Sequence, residues 1–417
     1  MKKLNKYFLA VLAVSVLIFL IKEAMGNGDF KVFLEASKIV LAGNNPYNNW
    51  IFISEGNYCL YFYSPLWTVI LSPFTALPSF IPNFIWLAAS CYFLYRSWVL
   101  LKQYINVAEW SEKQGRWLLI LTLLMSIRFI LYNFQMIQMT TFILWACLES
   151  LHLIRQKKII GGGLLLALVI NIKILPIVLI PYLIYRSYVR AAVSVILYSF
   201  VLLLLPALFV GWTQNLLLLK EWWSVINPAH TEQLIETELG VHSLTALIPS
   251  LLTKTENKLN FYVNLFEVGS VTTIYILNAI RLFLIFLTLY FLKWPPFKKA
   301  SSRIQELREL AFILLLIPLI FPHQQKYAFL LAIPAQFYLS YFMVKYYSCK
   351  NSIIHKPRWF FLLFTVCFSF ILMTLSSDGL IGKNWYTLSQ HYKLITWGAL
   401  TLIVSLIMLA PKRIINL

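Results

Sequence analysis

Apolar blocks follow one another from Tyr7 to Leu409 with no long polar stretch between them, and that feature alone commits the chain to a bilayer. A crossing helix needs roughly 20 apolar residues. The 417 residues are 60% hydrophobic and 12% charged, whereas a soluble domain carries about a quarter charged residues. The expected fold class is an all-α integral membrane protein, with 1–417 forming a single polytopic membrane domain.

The formal net charge of +19 does not point to nucleic acid, because Lys and Arg form short clusters between apolar blocks rather than a basic stripe. Such clusters stay in the cytoplasm during insertion. They are Lys2/Lys3/Lys6, Lys102/Lys113/Arg116, Arg155/Lys157/Lys158, Arg186/Arg190, Lys293/Lys298/Lys299/Arg303/Arg308, Lys345/Lys350/Lys356/Arg358 and Lys412/Arg413. Consecutive clusters must be joined by an even number of crossings, which yields about twelve helices with both termini inside. The apolar run Tyr7 to Ile21 resembles a signal peptide, but it ends in Lys22 and Glu23 without a small-x-small cleavage site and reads as the first span.

Two consequences follow from the charge rule. Ser64 to Leu77 cannot span and should lie along or dip into the outer face. Ile159 to Tyr185, which looks like one span, must be a hairpin of two short helices, because Arg155 and Arg186 would otherwise face opposite sides. Each arm is only about 20 Å long, so its turn, Asn171 to Pro176, sits below the outer surface and presents Lys173 to a cavity. The outer loops are then Met25–Pro82, Tyr132–Gln138, Asn171–Ile174, Gly211–Ser270, Pro322–Lys326 and Ser376–Lys393. No internal repeat is evident, which argues against a transporter built from duplicated halves.

The chain contains two Asp residues, Asp29 and Asp378, and both fall in outer loops. Behind Asp29 runs an amphipathic helix with Phe30, Phe33, Leu34 and Leu41 on one face and Lys31, Glu35 and Lys38 on the other, ended by Gly43 and the Asn44-Asn45-Pro46-Tyr47 turn. Asp29 reads either as the N-cap of that helix or as a general base at the membrane surface. Asp378, beside Gly379, reads as a turn residue. The five Cys residues, Cys59, Cys91, Cys147, Cys349 and Cys367, have no metal-like or redox-like spacing. Arg128 reads as a phosphate ligand or as the ion-pair partner of Glu149.

Asp29-Phe30, followed by a helix and then Leu41-Ala42-Gly43-Asn44-Asn45-Pro46-Tyr47, resembles the first-loop signature of family 87 glycosyltransferases, members of the C-type (GT-C) integral membrane class. Tyr63-Ser64-Pro65-Leu66 is similar to the family's Tyr-Pro-Pro-Leu segment, Asn133-Phe134-Gln135 to its Asn-Gly-Gln turn, and Ile172-Lys173-Ile174-Leu175-Pro176 to its Lys-x-x-Pro turn. Departures are Ser64 for a proline, Phe134 for a glycine, and a displaced His323. The resemblance implies an inverting transferase that moves mannose or a related sugar from a polyprenyl-phosphate donor to a glycan or glycolipid acceptor at the outer face of the cytoplasmic membrane, with Asp29 as base. Membrane lipid and the two substrates are the expected partners.

A sugar on phosphate already carries a good leaving group, so one carboxylate suffices where a glycosidase needs two. The departing phosphate gains charge, and cations in a partly dry cavity stabilise it. Lys173 is the first candidate donor-phosphate ligand, with Lys326, His323 and Gln135 behind it; Tyr47, Tyr63, His230 and His242 are candidate groove residues. No Asp-x-Asp pair or His cluster suggests a metal, Glu55 being the one acid positioned to join Asp29 around one, and no cofactor is expected. The rival readings are a flippase or transporter of lipid-linked sugar, using Lys173 and Arg128 as pathway residues, and a glycan polymerase or ligase relying on His230 and His242.

Overall fold

The computed structural model describes residues 2–47, 49–54, 56–105, 110–227, 234–254, 264–293, 296–348 and 356–409. The chain is mostly helical. In order run α1 (Lys2–Ala24), α2 (Phe30–Leu41), α3 (Pro65–Ile70), α4 (Phe80–Lys102), α5 (Glu112–Gln135), α6 (Thr140–Arg155), α7 (Ile159–Ile172), α8 (Leu179–Tyr185), α9 (Val189–Leu204) and α10 (Ala207–Val210). They are followed by α11 (Trp212–Ile226), α12 (Leu244–Leu252), α13 (Ser270–Leu292), α14 (Arg303–Ile320), α15 (Ile333–Ser348), α16 (Lys356–Phe370), α17 (Asp378–Ile381), α18 (Lys383–His391) and α19 (Leu394–Met408).

One element departs from the all-α expectation: an antiparallel hairpin, β1 (Ile51–Ser54) and β2 (Asn57–Cys59), in the first loop. Its alternation is that of a strand, with Ile51 and Ile53 buried while Phe52 and Tyr58 are exposed. Among the described residues five helices are long and apolar enough to cross a bilayer: α4, α5, Val189–Val210, α13 and Lys326–Tyr347. A sixth is added if α18 and α19, bent by 60°, count as one. Helix length and composition therefore do not reproduce the expected count of about twelve crossings; Ile159–Ile172, Leu175–Tyr185 and Trp359–Leu375 are shorter apolar helices.

The helices sort into two compact units assembled from interleaved stretches. The first comprises Met1–Trp98, Leu131–Ile177 and Val189–Asn227; the second comprises Val99–Ile130, Val178–Tyr188 and Pro228–Leu417.

Within the first unit, α7 packs between α6 and α9. Gly163 of α7 and Ser194 of α9, each about a turn into its helix, touch so closely that a Cβ on Gly163 would meet Ser194 Oγ at 2.2 Å. At the other end of α7 Lys173 feels Asp29. Beyond α9, α11 bonds the same first loop, through Gln214 Nε2 to the Gly43 carbonyl at 3.3 Å and Trp222 Nε1 to the Phe62 carbonyl at 3.1 Å. Thus α7 and α9 run in the same direction, and the chain between them must return. A single span over Ile159–Tyr185 would make them antiparallel, so the hairpin inferred from Arg155 and Arg186 holds. Helix α7 stops because Lys173 is extended (φ −142°, ψ 122°) and Pro176 offers no N–H for a further turn.

Helix α2 is buried along Phe30, Val32, Phe33, Leu34, Ala36, Ser37 and Val40, whereas Leu41, assigned above to the apolar face, is exposed at the C-terminus. Gly43 ends it with φ +78°, as expected, and the Asn44 N–H closes onto the Ile39 carbonyl at 3.0 Å. Ser64 to Leu77 forms α3 and a short 3₁₀ turn, Ser72–Ala76, neither long enough to span; both pack against α2. Ser64 has φ −65°, the angle a proline would impose.

In the second unit α14 is the central helix, buried from Gln305 to Leu319. Its Glu309 takes two bonds from Arg186, at 2.9 and 2.5 Å. Near the C-terminal end of α16 the backbone loosens into a π turn, Ile371–Leu375. Arg128 of α5 donates to the Met373 carbonyl at 2.7 Å and to Ser376 Oγ and carbonyl at 2.8 Å each. It is not the partner of Glu149, which pairs with Arg96 in the first unit at 2.7 Å; π turns release carbonyls that a helix interior would occupy.

Candidate active site

Asp29 sits at the join between the loop after α1 and the start of α2, and it does not cap the helix. Its backbone is helical (φ −62°, ψ −16°) and its side chain makes no cap hydrogen bond, whereas an N-cap residue adopts an extended backbone and accepts from the helix's first turn. The turn after α5 holds it instead. The Asp29 N–H donates to the Met136 carbonyl at 2.8 Å, and Gln138 Nε2 donates to Asp29 Oδ2.

Two neighbours make that docking possible. Gly28 lies so close to the turn that a Cβ there would meet Ile137 Cγ1 and the Met136 carbonyl oxygen at 2.7 Å each. From α4, Trp86 Nε1 bonds the Gln138 carbonyl at 3.1 Å, while Asn83 Nδ2 holds the Ala24 and Gly26 carbonyls at 3.1 and 3.4 Å. The turn itself reverses through Ile137 at φ +48°. The sequence expectation centred this turn on Asn133-Phe134-Gln135, but α5 continues to Gln135 and the reversal comes later, so Gln138 meets Asp29 and Gln135 is exposed at the helix end.

Burial pushes the Asp29 carboxyl up to about 6, the Gln138 amide and the Lys173 charge acting the other way. The ordinary aspartate value lies near 3.9. A base whose pKa lies just below neutrality is better matched to taking a proton at pH 7, because it is still ionised and holds the proton more strongly. Lys173, at the C-terminal cap of α7, keeps part of its surface open, but protein surrounds its ammonium, and burial draws its pKa down to about 8 against the pull of Asp29. The two groups are thus within electrostatic reach, and at neutral pH both are charged.

Tyr63 stands beside them. Burial, and then the Asp29 charge, hold its hydroxyl well above the ordinary tyrosine range, so it is a neutral donor at this site. Its ring lies 4.1 Å from Phe33 of α2. Tyr47 is 1% exposed and its hydroxyl donates to the Tyr63 carbonyl at 2.8 Å, fastening the loop behind Tyr63.

Among the described residues, the remaining sequence candidates lie in the second unit. His242 has no exposed surface; its ring bonds Gln390 Oε1 at 3.0 Å, and burial followed by the Lys393 charge keeps it neutral. It fastens a loop rather than facing a groove. Lys326 donates to the Tyr386 hydroxyl and lies 5.1 Å from that ring's centre. His323 Nδ1 is 2.6 Å from Glu236 Oε1, an acid that sequence reasoning did not single out. His230 and Glu55 lie outside the described residues. Asp378 is exposed, and its carboxyl accepts the N–H of Gly379 at 2.9 Å, as a turn residue would. Among the described residues no group of three His, Cys, Asp or Glu is gathered as a metal site would need.

The arrangement in the first unit can remove a proton at Asp29 and offer a cation at Lys173 close by. Comparison with known proteins gives this geometry its context. No curated protein and no solved structure matches the chain. The sequence model of glycosyltransferase family 87 matches residues 61–322. That interval includes Tyr63, Gln138 and Lys173 and begins after Asp29. Covering more than half of the 417 residues, the match shows that the chain belongs to glycosyltransferase family 87.

Proposed function

We propose that this glycosyltransferase takes mannose or a related sugar from a polyprenyl-phosphate carrier and transfers it, with inversion, to a glycan or glycolipid acceptor at the extracytoplasmic face of the cytoplasmic membrane. Asp29 accepts the proton of the acceptor hydroxyl as that oxygen bonds to the anomeric carbon; the bond to the phosphate oxygen breaks and the phosphate leaves with its electron pair. Lys173 meets the charge that develops on that phosphate, where a cation in a partly dry setting is most effective. Tyr63 is suited to donate a hydrogen bond to sugar or phosphate beside them. Lys326 and His323 are the second unit's candidates for contact with phosphate.

The observation that carries the reading is that Asp29, a residue type that normally caps helices, leaves α2 uncapped and is held instead by Gln138 in the field of Lys173. The side of the membrane is inferred from charge. Lys2 and Lys3 at the start of α1, Lys157 and Lys158 before α7, and Arg190 early in α9 all lie at the helix ends opposite the Asp29 loop, and such clusters stay cytoplasmic.

The test is to incubate the purified chain with polyprenyl-phosphate mannose and membrane lipid, comparing wild type with Asp29→Asn. Transfer by wild type and its loss in the variant are expected. Full transfer by Asp29→Asn would reject the mechanism, and absence of transfer from any carrier, with movement of the lipid-linked sugar across the bilayer, would favour the flippase.

A further inference from the structure

We propose that Glu236 is a positioning residue that fixes the imidazole of His323 for contact with a phosphate group carried by a lipid. The inference rests on the transferase reading above, in which the donor carries its sugar on phosphate.

Glu236 is nearly inaccessible, at 4% side-chain exposure, while the His323 side chain is 39% exposed. One carboxylate oxygen of Glu236 takes both the backbone N–H of His323, at 2.8 Å, and ring Nδ1, at 2.6 Å. The other takes the Ser243 hydroxyl at 3.0 Å and the Thr245 hydroxyl. Four donors hold the carboxylate ionised despite its burial, and its pKa lies below the ordinary glutamate value. An ionised acceptor at Nδ1 keeps a proton there, so the ring faces a ligand through Nε2, which donates to phosphate when the ring is the imidazolium, the form a neighbouring carboxylate favours. The same carboxylate stabilises the left-handed backbone of His323, φ +55°, so ring and main chain are set by one residue.

The surroundings favour an anion. Arg281 and Lys393 both feel Glu236, and Lys393, Lys326 and Arg128 all act on His242 in the loop that carries Glu236. Among the described residues the acids that act on Arg281 and Lys393 are Glu236 and Glu238. Three of the cations donate to neutral acceptors: Lys393 to the Glu238 and Leu239 carbonyls at 2.8 and 3.3 Å, Lys326 to the Tyr386 hydroxyl, and Arg128 to Met373 and Ser376. Cations held in fixed directions attract phosphate.

The experiment uses the full chain in lipid nanodiscs with polyprenyl-phosphate mannose as donor and compares wild type, Glu236→Gln, His323→Gly, the double variant and Asp29→Asn. Glycine suits the positive φ at 323, which protects folding. Glu236→Gln is expected to lower kcat about 10- to 100-fold with little change in KM for the donor, and to cost less than about twofold more in the His323→Gly background. Equal losses in both backgrounds would assign Glu236 a purely structural role and overturn the proposal.

An activity-independent reading comes from the ¹⁵N signals of the His323 ring. Nδ1 should carry a proton in wild type and lose that preference in Glu236→Gln, and an unprotonated Nδ1 in wild type overturns the proposal. Polyprenyl phosphate should shift the signal at concentrations where inorganic phosphate does not. The reverse preference, or no shift with either, overturns it. Asp29→Asn separates the two claims: full transfer in that variant defeats the base mechanism, whereas its loss together with an additive Glu236/His323 cycle defeats only the present proposal.

Discussion

Two carboxylates largely withdrawn from water, one in each unit, are treated in opposite ways. Glu236 accepts four hydrogen bonds and is held ionised below its ordinary pKa. Asp29 accepts one side-chain bond, from Gln138, and burial raises it to about 6. A fully satisfied carboxylate is a fixed charge that anchors its neighbours, whereas an under-satisfied one stays basic enough to take a proton. More donors reach Glu236 than Asp29, and on the proposed mechanism this suits Glu236 to anchoring and Asp29 to taking a proton.

The contrast is broken most directly at Asp29. Asp29→Asn should lower transfer about 1,000-fold, the scale of general-base loss, measured as radiolabelled mannose passing into lipid; near-normal turnover removes the distinction between the two carboxylates. Gly28→Ala comes next. Its new Cβ would meet backbone at Met136, so Asp29 must shift, and a displacement near 1 Å costs about 100-fold in turnover. An unaltered rate would mean that the 136–138 turn yields freely.

Gln138→Met sharpens the contrast by removing the side-chain donor that Asp29 has among the described residues. The acid limb of the pH–rate profile should rise from about 6 by roughly 1–2 units, the worth of a hydrogen bond to a charged group. In wild type the profile should be bell-shaped: activity appears as Asp29 loses its proton above about 6 and fades as Lys173 loses its own above about 8. A flat profile between pH 5 and 9 would disconnect both groups from the reaction.

The smallest effect is on stability, and the two sites should differ in sign. Asp29 has its folded pKa raised, so it binds a proton more tightly folded than unfolded, and its ionisation lowers stability as pH rises between 3.8 and about 6. At pH 7 Asp29→Asn should therefore leave the melting temperature unchanged or higher. Glu236 has its folded pKa lowered, so its contribution is present above its unfolded pKa and lost as pH falls through the folded one. Glu236→Gln should cost about 1–3 kcal/mol at pH 7 and nothing once both forms are protonated. Thermal scans at pH 4 and pH 7 test the sign for Asp29, and a further scan at lower pH, where Glu236 is protonated in the folded state too, tests it for Glu236.

Much of the frame was legible because its causes are local. The parallel course of α7 and α9 follows from where Arg155 and Arg186 fall along the chain, and the end of α2 from Gly43. The site was legible only in part. Asp29 and Lys173 stood out as rare polar residues in outer turns, but Gln138 did not, because nothing within a few residues distinguishes it from Gln135. The pairing of Arg96 with Glu149, for which the sequence offered Arg128 as one of two readings, depended on which helices pack together. Glu236 and His323 are 87 residues apart, and no spacing rule connects them.

By itself the sequence determined the solvent the protein lives in, the ends of helices that carry positive charge, and the turns where Asp29 and Lys173 sit, since each follows from the transfer free energy or backbone preference of a few adjacent residues. Only the tertiary structure decided which polar groups touch, and hence how many donors reach each carboxylate. That number set one acid above its ordinary pKa and the other below, because the cost of burying a charge is governed by its immediate partners and not by its place in the chain.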